Sequence, residues 1–351
     1  MNRERSIGAG YGMLSAVLFG LSTPAAKALL GAIDPWLLAG LLYLGSGLGL
    51  SVYNLSRRAL SQERREAPLR HADIAWLGAA VLTGGVAGPV LLMTGLQSTS
   101  ASSGALLLNL EGLATMAIAW GVFKENADRR IVVGALAILA GALLLSWRGG
   151  AGGVGLGAVA IAGACLAWGI DNNLTRKISH ADPVQIAAIK GLVAGAINLT
   201  LALLIGARLP SIGLVVGAGL VGLLGYGVSL VLFVLGLRHL GAARTGAYFS
   251  TAPFVGALAS IFLLHDPVTP QLLGAGVLMG LGLYLHLAER HEHPHVHNPI
   301  EHEHLHTHDE HHRHDHDAND PVGEPHAHVH KHERLLHAHP HFPDLHHQHE
   351  H

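Results

Sequence analysis

ALLLNLEGLATMAIAW, residues 105–120, is an apolar run whose only strongly polar side chains are Asn109 and Glu111. A carboxylate in the middle of an apolar helix would be a defect in a soluble core. It makes sense if hydrocarbon lies outside a helical bundle and a wet path lies within, so the solvent around this helix decides the fold.

Composition points to that solvent. Half of the 351 residues are hydrophobic and only 13% are charged, too few to cover a soluble protein of this length. The averages mix two unlike segments. Residues 1–288 carry 18 Lys/Arg and 11 Asp/Glu, whereas residues 289–351 carry 4 and 13 together with 23 of the 28 histidines. The first segment reads as membrane protein and the second as a polar tail. The single cysteine, Cys165, sits in an apolar run and has no partner for an intramolecular disulfide.

Crossing about 30 Å of hydrocarbon takes about 20 apolar residues per helix. Ten stretches qualify, at roughly 8–30, 34–55, 73–96, 101–123, 130–147, 154–174, 183–206, 211–236, 241–264 and 268–288. Small residues recur four apart, as in Gly84/Gly88, Gly153/Gly157, Gly213/Gly217 and Gly276/Gly280, a spacing that lets helix backbones approach closely. With the N-terminus in the cytoplasm, fourteen loop Lys/Arg lie inside and only Arg148 and Arg208 outside. This is the charge bias of a plasma-membrane protein with both termini cytoplasmic, and a bacterial inner membrane is expected. The opening MNRER, followed by an apolar run and STPAAKA, also permits a cleaved signal peptide. The repeat described next requires that helix to stay.

The chain resembles itself. LFGLSTPAAK (18–27) aligns with AWGIDNNLTR (167–176), pairing Gly20 with Gly169 and Lys27 with Arg176. Asp34-Pro35 matches Asp182-Pro183, and GALAILAGALLL (134–145) matches GAGVLMGLGLYL (274–285). SASSGALLLNLEGLATMAIAWGVFKE (100–125) matches GAARTGAYFSTAPFVGALASIFLLHD (241–266) in pattern. Each unit holds five spans. Five is odd, so the second unit enters the membrane upside down, the inverted-repeat plan of many secondary transporters.

In these segments the sequence resembles the ten-helix EamA-type branch of the drug/metabolite transporter superfamily, over about residues 1–288. The resemblance implies ten helices in two five-helix repeats, residues 1–147 and 148–288, with cytoplasmic termini, and movement of small solutes. Pro253 matches a proline common in that helix of the family. Its first-half equivalent is Glu111, which the family pattern leaves unexplained.

Ionisable groups inside a membrane face the bundle interior and mark solute or ion pathways. Glu111 lies ten residues into its span, about 15 Å deep at the rise of an α-helix, close to the midplane. Hydrocarbon favours its neutral form, so it can carry a proton between the two faces or bind a cation directly. The structural alternative is a neutral Glu111 bonded to Asn109 or to a neighbouring helix's backbone. Asp171 and Lys190 flank the short loop KISHADP at similar distances and are expected to pair. That pair either locks two helices together or flanks a cavity beside Asn172 and Asn173. The candidate pathway is therefore Glu111, Asn109, Asp171, Asn172, Asn173 and Lys190. Lys27 and Arg176 are expected to snorkel to the interface. Tyr226 and Tyr248 are expected to serve helix packing.

The tail, residues 289–351, cannot bury enough surface to fold alone and is expected to be disordered. Its alternating histidines include His291, His293, His295, His297, His302, His304, His306, His308, His326, His328, His330 and His332. Dense imidazole suits Zn, Ni, Co or Cu, with affinity lost as His protonates. HEHPH (291–295) and HEHLH (302–306) match the zinc-protease pattern H-E-x-x-H. They lack the stable helix that motif needs, and the first contains Pro294. No enzyme activity is expected.

The leading expectation is a secondary active transporter of a small solute, with no resident cofactor and a metal-binding regulatory tail. The chain shows no P-loop, so a gradient would supply the drive. The expected partners are the lipid bilayer, a small-molecule substrate and transition-metal ions at the tail. Nothing points to nucleic acid. The alternatives are a divalent-metal exporter and a metal sensor or store that transports nothing.

Overall fold

A computed structural model describes residues 3–59, 69–123, 129–147, 154–178, 181–240 and 242–287, and the backbone of four short tail segments. The membrane part is a bundle of ten helical spans. The first half comprises α1 (Arg3–Leu29), α2 (Pro35–Ala59), α3 (His71–Gln97), α4 (Ala101–Val122) and α5 (Arg129–Ser146). The second comprises α6 (Leu156–Arg176), α7 (Pro183–Leu204), α8 (Ile212–Gly236), α9 (Ala242–Phe249 continued by Ala252–Leu264) and α10 (Pro270–Leu287). The spans end within two residues of the limits expected from hydropathy, except that α1 begins five residues earlier and α2 runs four residues further. Seven are long and apolar enough by themselves to cross a membrane.

The bundle presents apolar side chains outward. Leu204, Phe262 and Val277 stand 77%, 74% and 71% exposed, which water would penalise and hydrocarbon welcomes. Large aliphatic side chains such as Leu37, Leu92 and Met279 fill the interior, and glycines between them let helix backbones touch. A Cβ on Gly191 of α7 would lie 2.6 Å from Gly47 Cα of α2, and one on Gly282 of α10 would lie 2.5 Å from the Gly134 carbonyl of α5. These contacts pair the second helix of one half with the second of the other, and the fifth with the fifth. Association in lipid rests on such close packing, because lipid tails supply no hydrophobic drive.

The halves also interlock through their first helices: α1 packs on α8 and α9, and α6 packs on α3 and α4. Both Asp-Pro pairs do the same local work. The Asp34 carboxylate accepts the Trp36 N–H at 2.9 Å, and that of Asp182 accepts the Val184 N–H at 2.9 Å. Each caps the helix that its proline opens.

Two irregularities repeat in one register. A π-helical turn spans Val81–Ala87 in α3 and another Leu223–Val228 in α8. The α4 helix breaks at Leu108–Asn109, and α9 breaks at Ser250–Thr251. The shift that superposes the π turns also superposes the breaks, and it places Glu111 opposite Pro253. A proline at the start of the second segment of α9 needs no N–H partner, which explains its tolerance there.

In the tail the backbone pairs antiparallel, β1 (Glu292–His297) with β4 (Leu335–Pro340) and β2 (Glu301–His306) with β3 (His326–Lys331). Two-stranded ribbons are marginal on their own in water. His291, His308 and His332 lie outside the described residues.

Close helix contact predicts a contrast between glycines. Gly191→Val should destabilise the bundle by about 1–3 kcal/mol through overpacking, whereas Gly217→Ala, which meets nothing within 4 Å, should be silent. Thermal melts of the two variants in detergent check this, and equal melting points would count against the α2–α7 contact.

Candidate functional site

The break in α4 sets Glu111 in the first turn of the segment Leu110–Phe123, about midway along the span. Its partner is on α6: Asn172 donates from Nδ2 to Glu111 Oε1 at 3.1 Å and to Thr115 Oγ1 at 3.1 Å. Asn109, one of the partners considered for Glu111, turns away. It donates to the Leu106 carbonyl at 2.8 Å and lies 3.8 Å from Met279 Sδ. Asn173 ties the same two helices, donating to the carbonyls of Thr115 at 3.0 Å and Gly169 at 2.8 Å.

Asp171 and Lys190 meet. Lys190 Nζ lies 2.6 Å from both carboxylate oxygens of Asp171, and Thr175 Oγ1 donates to Oδ1 at 2.9 Å. Both side chains are largely withdrawn, at 16% and 8% exposure. Against them lies the π turn of α3. Its Gly84 carbonyl accepts from Tyr43 Oη at 2.8 Å and Trp168 Nε1 at 2.9 Å, and the Gly85 carbonyl accepts from Asn198 Nδ2 at 3.0 Å. A π turn displaces carbonyls from the regular ladder, and here side chains of α2, α6 and α7 satisfy them. A Cβ on Gly84 would overlap the Asp171 carboxylate, so only glycine lets α3 approach the ion pair.

Glu111, Tyr43 and Tyr226 are each partly buried. Aromatic rings from four helices pack against one another. Tyr43 and Tyr226 have centroids 5.7 Å apart, Tyr226 and Phe19 5.8 Å, Phe19 and Phe249 5.2 Å, and Phe249 and Phe233 5.0 Å.

One end of the bundle is laced shut. Lys27 of α1, expected to snorkel, instead binds the carbonyls of Leu96, Gln97 and Thr99, the last at 2.9 Å, where α3 leaves orphan acceptors. Asp266, in the α9–α10 connection, accepts the Ser102 N–H at 2.7 Å at the start of α4. Arg176, the counterpart of Lys27, also has a partner. Among the described residues no group of three or more His, Cys, Asp or Glu is placed to hold a metal ion.

Residues 6–147 and 155–288 each match the EamA-like transporter family. The chain belongs to this family. The two matched segments coincide with the two five-helix halves. An uncharacterized transporter of Methanothermobacter thermautotrophicus is 27% identical over 281 residues, covering 76% of this chain and 81% of that protein. A crystal structure of a protein with 19% sequence identity superposes with a TM-score of 0.59, covering 80% of this chain and 95% of its own, a likeness of fold. As an EamA-like protein the chain is a multi-pass membrane transporter.

The ion pair predicts coupled stability. Lys190→Met alone strands a buried carboxylate and should cost about 3 kcal/mol or more. Adding Asp171→Asn should recover most of that loss in a detergent melt. Strictly additive effects would contradict the pairing.

Proposed function

We propose that this EamA-like protein is a secondary active transporter that moves a small organic solute across the plasma membrane by alternating access, with Glu111 as the proton-carrying group. The observation that carries this reading is the unequal pairing of two carboxylates. Asp171 is ion-paired with Lys190, whereas among the described residues the hydrogen bond to the Glu111 carboxylate comes from the amide of Asn172. A carboxylate in such a place needs a counter-charge, and either a proton or a solute can supply it. Competition between the two at one carboxyl couples their movements in opposite directions.

The inverted halves provide the two conformations. Exchanging the arrangements of the halves opens one end and closes the other. In the conformation described here, Lys27 and Asp266 hold one end together. With the N-terminus cytoplasmic, as the loop charges favour, that end is the outer one. Opening outward then requires Lys27 to leave the carbonyls of α3. A solute gradient or a proton gradient drives the cycle.

A second reading concerns the tail. Across β2 and β3, His302 stands opposite His330, His304 opposite His328 and His306 opposite His326, and across β1 and β4, His293 faces His339 and His295 faces His337. Such cross-strand register places pairs of imidazoles at neighbouring backbone positions, which favours binding of Zn, Ni, Co or Cu to the tail. We assign this metal a regulatory role. The spans offer no ligand cluster among the described residues that would pass a metal ion along, and this favours an organic solute over metal as cargo.

Two measurements test these readings. In vesicles reconstituted with the full chain and holding a pH-sensitive dye, amino acids, amines and nucleosides are screened for solute-driven proton movement. Glu111→Gln should abolish that movement for every solute the wild type couples, and survival of the coupling would overturn the role of Glu111. Calorimetric titration of the full chain with Zn should show several sites that disappear on deleting residues 289–351 and weaken as pH falls through about 6.5, the ordinary His range. Equal binding by both forms would overturn the tail reading.

A further inference from the structure

Resting on the reading of the tail as a transition-metal site, we infer that metal folds the tail in a fixed order: it closes the inner ribbon, β2–β3, and the closed inner ribbon then assembles the metal site of the outer ribbon, β1–β4. The juxtaposition behind this is two nested ribbons in which histidine is matched with histidine across the strands. Successive positions of a strand alternate between its two faces. His302, His304 and His306 of β2 therefore share one face, and their ladder partners His330, His328 and His326 belong to the same face. In the outer ribbon His293 and His295 are matched by His339 and His337, while His297 is matched by Leu335. Opposite positions of a ladder hold their Cβ atoms about 4.5–5.5 Å apart, close enough for two imidazoles to share one ion at about 2.0–2.1 Å. Such nitrogen donors select Zn, Ni, Co or Cu over Mg or Ca.

Metal and register reinforce each other. A slip of one residue would set each histidine of β2 opposite a position that is not histidine, so an ion shared across the strands holds the observed pairing. Without such a cross-link a two-stranded ribbon is marginal in water, and a ligand that binds only the paired form stabilises it. The order follows from the nesting. β2 and β3 both fall between β1 and β4 in the chain. Closing the inner ribbon loops out residues 307–325, whereas closing the outer one by itself loops out residues 298–334, about twice as much chain and a larger loss of entropy. Once the inner ribbon is closed, only residues 298–300 and 332–334 separate it from the outer strands, which raises the effective concentration of β1 at β4. The inner ribbon also has three facing histidine pairs against two in the outer, so ligand number and chain entropy favour the same sequence of events.

The test follows amide hydrogen exchange of the tail by mass spectrometry as Zn is added to the full chain in detergent. Protection of Glu301–His306 and His326–Lys331 should appear at lower Zn than protection of Glu292–His297 and Leu335–Pro340. His326→Gln, His328→Gln and His330→Gln together should raise the Zn midpoint of the outer ribbon by about tenfold, the closure advantage that nesting confers. His337→Gln with His339→Gln should leave the inner midpoint where it stands in the wild type. His311→Gln, His312→Gln and His314→Gln remove as many histidines from between the paired strands as the first variant removes from β3, and should change neither midpoint. An outer midpoint unmoved by loss of the inner histidines, or an outer ribbon protected at or below the Zn that protects the inner one, overturns the order. Calorimetric Zn binding that vanishes with residues 289–351 yet brings no protection also overturns it, and leaves the tail reading standing. Zn binding that is equal with and without those residues overturns both.

Discussion

Lys190 reaches across from α7 to the Asp171 carboxylate of α6 at 2.6 Å, and the neighbouring polar contacts are arranged about that ion pair. Unpaired charge is costly inside a membrane bundle, so an ionisable group there is met by protein, a proton, cargo or water along a path. Once Lys190 is committed to Asp171, Glu111 is left with an amide. The π turn of α3 lets its glycine backbone come up against the pair, and the carbonyls it displaces are taken by Tyr43, Trp168 and Asn198. Structural polarity is thus spent on fixing the walls, and one carboxyl is held in reserve.

The symmetry of the fold carries the same logic. The two π turns and the two helix breaks fall in a single register, yet their chemistry differs between halves. Gly84 in the first half corresponds to Tyr226 in the second, and Glu111 corresponds to Pro253. One half supplies charge and backbone acceptors, while the other supplies a ring to the shared wall. A scaffold of two inverted copies can keep its packing, Gly47 on Gly191 and Gly134 on Gly282, while the facing side chains diverge.

Much of this was legible in the sequence, and the rest was hidden for identifiable reasons. The spans could be read because hydrocarbon imposes length and apolarity on each helix. The Asp171–Lys190 contact could be read because a short loop fixes the relative depth of the helices on either side. Asn172 could be named as polar but not as the partner of Glu111. Depth along a helix says nothing about its rotation, and the two residues lie on helices separated by α5 in the chain. The π turns were invisible, since VLTGGVA and LLGYGV read like ordinary small-residue membrane helix. The aromatic row was also hidden, because its members come from four helices and converge only in the folded bundle. Lys27 looked like an interface anchor because its acceptors, the carbonyls ending α3, carry no side-chain signature.

The proposed mechanism requires a path that solutes can enter beside a carboxyl, Glu111, that has no ion-pair partner among the described residues. The most direct test is the reactivity of a single cysteine, Thr115→Cys on a Cys165→Ser background, toward cationic and anionic thiol reagents of equal size in vesicles. The account predicts labelling that is faster with the cationic reagent, and loss of that bias when Glu111→Gln is added. A cysteine at 115 that reacts with neither reagent from either side, or a bias that survives Glu111→Gln, would contradict it.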